Sequence, residues 1–192
     1  MWKLDATLAA VLTSGRDPLI SQIKLAWWRE ALEKLDREPA PAEPALRALA
    51  EHVLPRGIRG GELAEMEQGW ALLLTPDPLT DDELTAYAKA RGGVLFRCSS
   101  LLLAGGAGEE IEKGGEAWAL ADLARHSGNE GDARAALEGV RRRAASFRWP
   151  GRLRPLGMLA QLAQKDSRGP PWEEQGAPRR MLRMLRHRLT GR

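Results

Sequence analysis

The chain has 192 residues, of which 43% are apolar and 29% charged, and its formal net charge is +3. This length and apolar content predict one domain over 1–192 with a sizeable core, and the small net charge does not favour nucleic acid as a partner. Cys98 is the only cysteine, so an internal disulfide is excluded. We see no signal peptide and no apolar run of membrane-spanning length, so we predict a cytoplasmic protein, with peripheral attachment to the inner membrane left open.

The sequence pattern is helical throughout. No stretch alternates apolar and polar residues over the length of a strand, and the helix formers Ala, Leu, Arg and Glu dominate. We therefore predict an all-α fold, a single-domain helical bundle. Helix-breaking residues divide the chain into predicted helices at 2–13, 18–36, 43–53, 61–74, 81–104, 110–127, 132–147, 152–164 and 176–189.

Two of the predicted helices begin with recognisable capping residues. Asp17 is followed by Pro18, which places an N-cap before a proline at the first helical position. Thr80 and Glu83 have the spacing of a capping box, in which each side chain accepts a hydrogen bond from the backbone of the other residue. These local signals predict the starts of the second and fifth helices.

Two adjacent tryptophans lie in the second predicted helix, in the sequence IKLAWWREAL. One stripe at helical spacing comprises Ile20, Ile23, Trp27, Ala31 and Leu35. We therefore predict that Trp27 faces the core, while Trp28 lies about 100° further round the helix and meets a neighbouring helix. In this interpretation both rings supply buried area. The alternative is that the pair forms a wall of a ligand cavity.

None of the common nucleotide-binding, metalloprotease or hydrolase motifs occurs in the sequence. The tripeptide RGG occurs at 59–61 and 91–93, and neither copy has the pattern of a phosphate-binding loop. The second copy lies inside a helical pattern, where glycines allow close helix packing or the close approach of a ligand. Cys98 lies in the apolar run VLFRCSSLLL, which predicts an unreactive core residue, since a nucleophilic role would need a nearby base.

Asp122, His126 and Glu130 follow one another at intervals of four residues. On one uninterrupted helix they would share a face, which makes Asp122 and Glu130 candidate metal ligands. Gly128 and Asn129 instead indicate that the helix ends before Glu130. We therefore predict that His126 lies at a solvated helix C-terminus, where the helix dipole favours a positive charge.

The chain ends in a long loop, 166–178, and a basic helix, 179–192. An apolar stripe along this helix comprises Leu182, Leu185 and Leu189, extended by Met181, and the arginines around it are Arg179, Arg180, Arg183, Arg186 and Arg188. In one interpretation the helix is docked on the body and its arginines are solvated. In the other, the basic helix contacts lipid headgroups or a protein partner. The basic segment 140–149 has the same two interpretations.

Several segments resemble the squalene/phytoene synthase family in order and spacing. IKLAWWREAL is similar to the family's Leu-x-Trp-Trp-Arg segment, and the proline-led stretch at 43–74 is similar to the helices that follow it. YAKARGGVLF (87–96) resembles the tyrosine-containing substrate helix, and GEAWALADLAR (115–125) resembles the helix of the second aspartate motif. The resemblance covers about 2–165, and the tail resembles a bacterial phytoene-synthase-like subgroup.

This resemblance implies an all-helical isoprenoid synthase fold around a central cavity. Active members join two isoprenoid diphosphates head to head, and two Asp-x-x-x-Asp motifs hold Mg²⁺ against the diphosphates. Carboxylates four residues apart share a helix face, and Mg²⁺ prefers such hard oxygen ligands. By the same resemblance, Tyr87, Asp122 and Arg125 are the candidate substrate-binding residues. The chain also lacks a counterpart of the first family helix, so we expect a longer native N-terminus or a late start.

The sequence departs from the family pattern at the metal-binding positions. The first carboxylate positions correspond to Ala9 and Thr13, while Asp5 lies one turn too early. The second motif corresponds to His126 and Glu130. We therefore assign no catalytic residue, no resident metal and no cofactor, with Mg²⁺ required only if the chain is an active prenyltransferase.

Three functions are compatible with these residues. The first is a catalytically degenerate scaffold or assembly protein, as in a mitochondrial complex I assembly factor that resembles these synthases without their metal motifs. It would contact a membrane surface or a protein partner through its basic helices, and its cavity could hold an isoprenoid. The second is a Mg²⁺-dependent prenyltransferase that acts on isoprenoid diphosphates. The third is a helical domain whose ligand is unrelated to isoprenoids.

Overall fold

The computed structural model describes residues 1–14, 17–75, 78–143, 147–174 and 176–191. Over these residues the protein is all-α and contains no strand, which confirms the predicted fold class. The chain divides into two compact units, Met1–Asp77 and Pro78–Arg192. The prediction of one domain over 1–192 stays a prediction.

The first unit is built around the pairing of two helices, α2 and α4. Its α-helices are α1 (Trp2–Ser14), α2 (Pro18–Lys34), α3 (Pro44–His52) and α4 (Gly60–Leu72), with a 3₁₀ turn at Leu54–Arg56. Asp17 caps α2 as predicted, since its carboxylate accepts a hydrogen bond from the Leu19 N–H at 2.8 Å. The helix ends at Lys34, earlier than the predicted residue 36.

The buried face of α2 differs from the one that the sequence predicts. The residues of α2 that are buried are Ser21, Leu25, Trp28, Ala31 and Leu32. Trp28 is only 7% exposed, whereas Trp27 is 47% exposed, and Ile20 and Ile23 are exposed as well. The prediction that Trp27 faces the core is therefore wrong. Two apolar stripes occur on this helix, and the unit buries the one that contains Leu25, Trp28 and Leu32.

The start of α4 lies directly against α2. A Cβ atom on Gly60 would lie 2.1 Å from the backbone oxygen of Leu32, so only glycine allows this approach. The Asp36 carboxylate accepts hydrogen bonds from the backbone N–H groups of Gly60, at 2.6 Å, and Gly61, at 3.0 Å. The first RGG tripeptide thus begins a helix whose terminal N–H groups bind an acidic side chain of the same chain.

The second unit is built around α7. Its α-helices are α5 (Asp81–Tyr87), α6 (Val94–Ala104), α7 (Glu109–His126), α8 (Glu130–Arg142), α9 (Arg154–Asp166) and α10 (Pro178–Thr190), with a π-helical segment at Ala88–Gly93 and a 3₁₀ turn at Gly151–Leu153. The capping box of Thr80 and Glu83 is present as predicted. The helix predicted at 132–147 ends at Arg142, and residues 144–146 lie outside the described part of the chain. Cys98 is fully buried in α6, as expected for a core residue.

The predicted helix 81–104 is interrupted by the π-helical segment, where the backbone crosses α7. A Cβ atom on Gly92 would lie 2.1 Å from the Gly115 oxygen, and one on Gly115 would lie 2.2 Å from the Gly92 oxygen. The two backbones are therefore in direct contact. Of the two roles predicted for the second RGG tripeptide, the structure shows close helix packing.

The C-terminal helix α10 is docked by its polar face. Its inward side comprises Arg180, Arg183, Met184 and His187. Arg183 binds the Glu173 carboxylate at 2.9 and 3.1 Å, and His187 is buried against Gly157 of α9. The predicted docking on the body is therefore present, but it does not leave all the arginines solvated. The leucine stripe faces outward, and Leu185 is 53% exposed.

Candidate functional site

A cluster around Arg91 connects the π-helical segment to α7. The Arg91 guanidinium, in a residue only 4% exposed, donates hydrogen bonds to the Tyr87 hydroxyl at 2.6 Å and to the Asp122 carboxylate at 2.7 Å. It also lies over the Trp118 ring, with 4.8 Å between the guanidinium carbon and the ring centroid. A buried charge is tolerated only with such partners, so Asp122 is the counter-ion of Arg91.

A second cluster centres on Asp166, the last residue of α9. Its buried carboxylate accepts hydrogen bonds from Arg125 Nε at 3.0 Å and from Arg180 Nη1 at 3.1 Å. The Arg125 guanidinium also lies 4.8 Å from the centroid of the Trp172 ring. Asp166 therefore joins α7, α9 and α10, and the loop 166–178 packs on the same arginine through Trp172.

A small cavity of about 180 Å³ lies between these two clusters. It is lined by Trp118, Ala121, Asp122, Arg125, His126, Leu159, Leu162, Ala163, Asp166 and Arg180. Its walls combine an apolar side from α9 with polar groups from α7, the combination that is typical of ligand sites. Its volume is below the roughly 300–1,000 Å³ of most small-molecule pockets.

The chain turns sharply between the two residues that correspond to the second aspartate motif. His126 is the last residue of α7, its side chain is exposed, and its Nδ1 lies 3.3 Å from an Asp122 carboxylate oxygen. Asn129 caps the next helix, which begins at Glu130. The prediction of a helix end and an exposed His126 is confirmed. Over the residues that the structure describes, no three acidic, histidine or cysteine side chains form a group that could hold a metal ion.

The helix that corresponds to the first aspartate motif, α1, lies in the first unit. Its one acidic residue, Asp5, is buried and accepts a hydrogen bond from the Trp70 indole N–H at 3.0 Å. At the two motif positions, Thr13 Oγ1 donates to backbone oxygens of its own helix, including that of Ala9 at 3.5 Å. The single carboxylate of α1 thus has a structural partner.

A buried glutamate, Glu67 of α4, faces α2 in the first unit. Burial raises the pKa of its carboxyl, the nearby Arg29 guanidinium at 3.9 Å opposes this shift, and Glu33 adds to it.

The Trp27 ring lines a surface cavity of about 250 Å³ in the first unit. Its centroid lies 5.2 Å from the centroid of the Trp28 ring. The alternative that the tryptophan pair forms a wall of a ligand cavity stays a prediction.

The three predicted substrate-binding residues lie in one region of the second unit. Tyr87 and Asp122 are joined through Arg91, and Arg125 lies one turn further along α7. Sequence reasoning missed Arg91, although its position four residues after Tyr87 places both on one helix face. It also missed Asp166, whose partners are far away in the sequence. The roles of Tyr87, Asp122 and Arg125 in binding, and of Asp122 and Glu130 as metal ligands, stay predictions.

The all-helical fold, in which a polar cluster joins the tyrosine segment to α7, is of the isoprenoid synthase type. A sequence model of the squalene/phytoene synthase family matches residues 4–167, so the chain belongs to this family. No curated protein and no solved structure matches the chain. Of the helices in the described residues, none is both long and apolar enough to cross a membrane.

Proposed function

We propose that this chain is a catalytically degenerate member of the squalene/phytoene synthase family and acts as a scaffold or assembly protein. The observation that carries the proposal is the state of the two carboxylates beside the cavity. Asp122 is bound by Arg91, and Asp166 is bound by Arg125 and Arg180. A carboxylate that neutralises a buried guanidinium is a poor metal ligand, because a metal would have to displace the arginine at a large cost in free energy.

The donor set at the family's metal-binding positions supports the same proposal. Ala9 and Thr13 offer no carboxylate, and His126 and Glu130 offer one. Mg²⁺ demands near-octahedral oxygen coordination and is held by carboxylates together with substrate phosphates. These residues do not fit a magnesium–diphosphate cluster.

The scaffold role is proposed by analogy with family members that lack the metal motifs. The proposed membership of a phytoene-synthase-like subgroup rests on the resemblance of the tail. In this proposal Tyr87, held through Arg91, and the cavity-lining residues Asp122 and Arg125 maintain the fold around α7, and the proposed ligand is an isoprenoid chain. In this proposal the protein acts in the cytoplasm or is attached peripherally to the inner membrane, through contacts with a partner.

The alternative is a Mg²⁺-dependent prenyltransferase that joins two isoprenoid diphosphates head to head. Family membership and the cluster of polar residues on α7 favour it. In this alternative Arg125 would contact a diphosphate, and Asp122 would have to exchange Arg91 for a metal ion. The two functions make opposite predictions for diphosphate release.

The test is an assay of diphosphate release from farnesyl and geranylgeranyl diphosphate, with Mg²⁺ and with EDTA. We expect no release above the EDTA blank from the folded protein. Mg²⁺-dependent release that falls in an Asp122→Asn variant would overturn the proposal and establish the prenyltransferase. A Glu51→Gln variant, changed at an exposed glutamate of α3, is the matched control for preparation effects.

A further inference from the structure

The outward face of α10 is apolar at its centre and basic at its rim. Leu182 and Leu189 are 67% and 69% exposed, and Leu185 and Met181 lie between and beside them. Arg179, Arg186 and Arg188 are exposed on the same helix. None of these three arginines forms an ion pair with a residue that the structure describes. The chain contains no acidic residue after Glu174.

This orientation is imposed by the contacts of the opposite face. Arg180 and Arg183 bind Asp166 and Glu173, and His187 is buried against α9. The C-terminal end of the helix is bound as well, because Arg154 donates to the backbone oxygens of Arg188 and Leu189 at 2.8 and 3.1 Å. Rotating α10 to bury its leucines would break all of these bonds, so the leucine stripe stays available.

We propose that the outward face of α10 docks on an anionic lipid bilayer. An amphipathic helix with leucines on one side and arginines beside them lies in the plane of the membrane interface, where the leucines enter the acyl boundary and the guanidinium groups bind headgroup phosphates. The helix is held against the second unit through its other face, so the protein binds the bilayer without detaching the helix.

The charges of α10 favour a bilayer over a second copy of the chain. An isologous dimer would pair this face with itself and oppose arginine to arginine, with no acidic residue on the helix to compensate. The stripe from Met181 to Leu189 spans eight residue steps, about 12 Å at 1.5 Å per residue. We expect so short a stripe to bind the membrane weakly and reversibly, as a single lipid anchor does.

The experiment is co-sedimentation of the full chain with vesicles of phosphatidylcholine, with and without phosphatidylglycerol. We expect binding to the vesicles that contain phosphatidylglycerol and little to the neutral ones. The variant with Arg179→Gln, Arg186→Gln and Arg188→Gln should bind anionic vesicles about 100-fold more weakly, at about fivefold per arginine. The variant with Leu182→Gln, Leu185→Gln and Leu189→Gln should lose at least tenfold, since the apolar contact is lost.

The matched control is a variant with Leu19→Gln, Ile20→Gln and Ile23→Gln, which changes the exposed apolar stripe of α2. It should bind vesicles like the unchanged chain. Equal binding to neutral and anionic vesicles, or full binding by the leucine variant, would overturn the proposal. A dimer in sedimentation velocity that the leucine variant dissociates would assign the face to a second copy instead. This readout involves no catalysis, so it succeeds or fails independently of the proposed scaffold function.

Discussion

The helices α2 and α10 each expose an apolar stripe, but they are attached to their units by different chemistry. α2 has a second apolar stripe, around Leu25 and Trp28, and buries that one. α10 turns its leucines outward and packs arginines, a histidine and Met184 against the second unit, where Asp166 and Glu173 provide counter-ions. The exposed stripe of α2 is therefore additional to a buried apolar stripe, whereas that of α10 contains all the leucines of the helix.

The largest effect that we expect comes from the buried stripe of α2. Trp28→Ala removes a nearly buried ring and should lower the free energy of unfolding by about 3–5 kcal/mol. Trp27→Ala removes an exposed ring that forms an edge-to-face pair with Trp28, and should cost about 1 kcal/mol. Urea denaturation followed by circular dichroism measures both values. Equal losses in the two variants would contradict the assignment of the buried stripe.

The second largest effect tests the polar docking of α10. Asp166→Asn removes the shared counter-ion of Arg125 and Arg180 and should lower the free energy of unfolding by about 3 kcal/mol, because two partly buried guanidinium groups are left without a compensating negative charge. Glu173→Gln, in the more exposed pair with Arg183, should cost less. If urea denaturation shows Asp166→Asn to be as stable as the unchanged chain, ion pairs do not hold α10.

A smaller effect is expected at Glu67, whose charge is buried beside α2. Because its folded pKa is raised, ionised Glu67 destabilises the fold, and the unchanged chain loses stability as the pH rises from about 4.3 through the folded pKa. Glu67→Gln should therefore be more stable at neutral pH and similar below pH 4. Thermal unfolding across pH 4–8 gives this difference, with Glu51→Gln as the exposed control. A variant that is less stable at neutral pH would show that the attraction to Arg29 dominates.

The smallest effect is expected on the outward stripes themselves. Leu185→Gln on α10 and Ile23→Gln on α2 replace exposed side chains, so each should change the free energy of unfolding by no more than about 0.5 kcal/mol. Thermal unfolding of the two variants would measure these changes. A large loss in Leu185→Gln would mean that this leucine is buried in the folded protein.

Helix positions could be predicted from the sequence, because their signals are local. The caps at Asp17 and at Thr80 with Glu83 are each contained within a few residues, and both are present. Helix orientation could be predicted less well. α2 has two apolar stripes, one with Trp27 and one with Trp28, and the sequence alone does not show which of them is buried.

The candidate site shows the same limit. Resemblance predicts Tyr87, Asp122 and Arg125 as site residues, and the spacing of Arg91 from Tyr87 is a local signal that would add Arg91 to them. The docking of α10 had no local signal, since Arg180 binds Asp166 fourteen residues away and shares it with Arg125 on α7. The π-helical segment could not be predicted from the sequence either, because its residues continue the helical pattern on both sides.

The shared carboxylate of Asp166 has a consequence for the order in which the second unit opens. When α10 separates, Arg125 still neutralises Asp166, so no lone buried anion remains and the opening costs less free energy than breaking an isolated pair. Amide hydrogens of α10 should therefore exchange with solvent deuterium sooner than those of α7, which mass spectrometry can time. We therefore expect α10 to open before α7, while the helices packed on α7 stay folded.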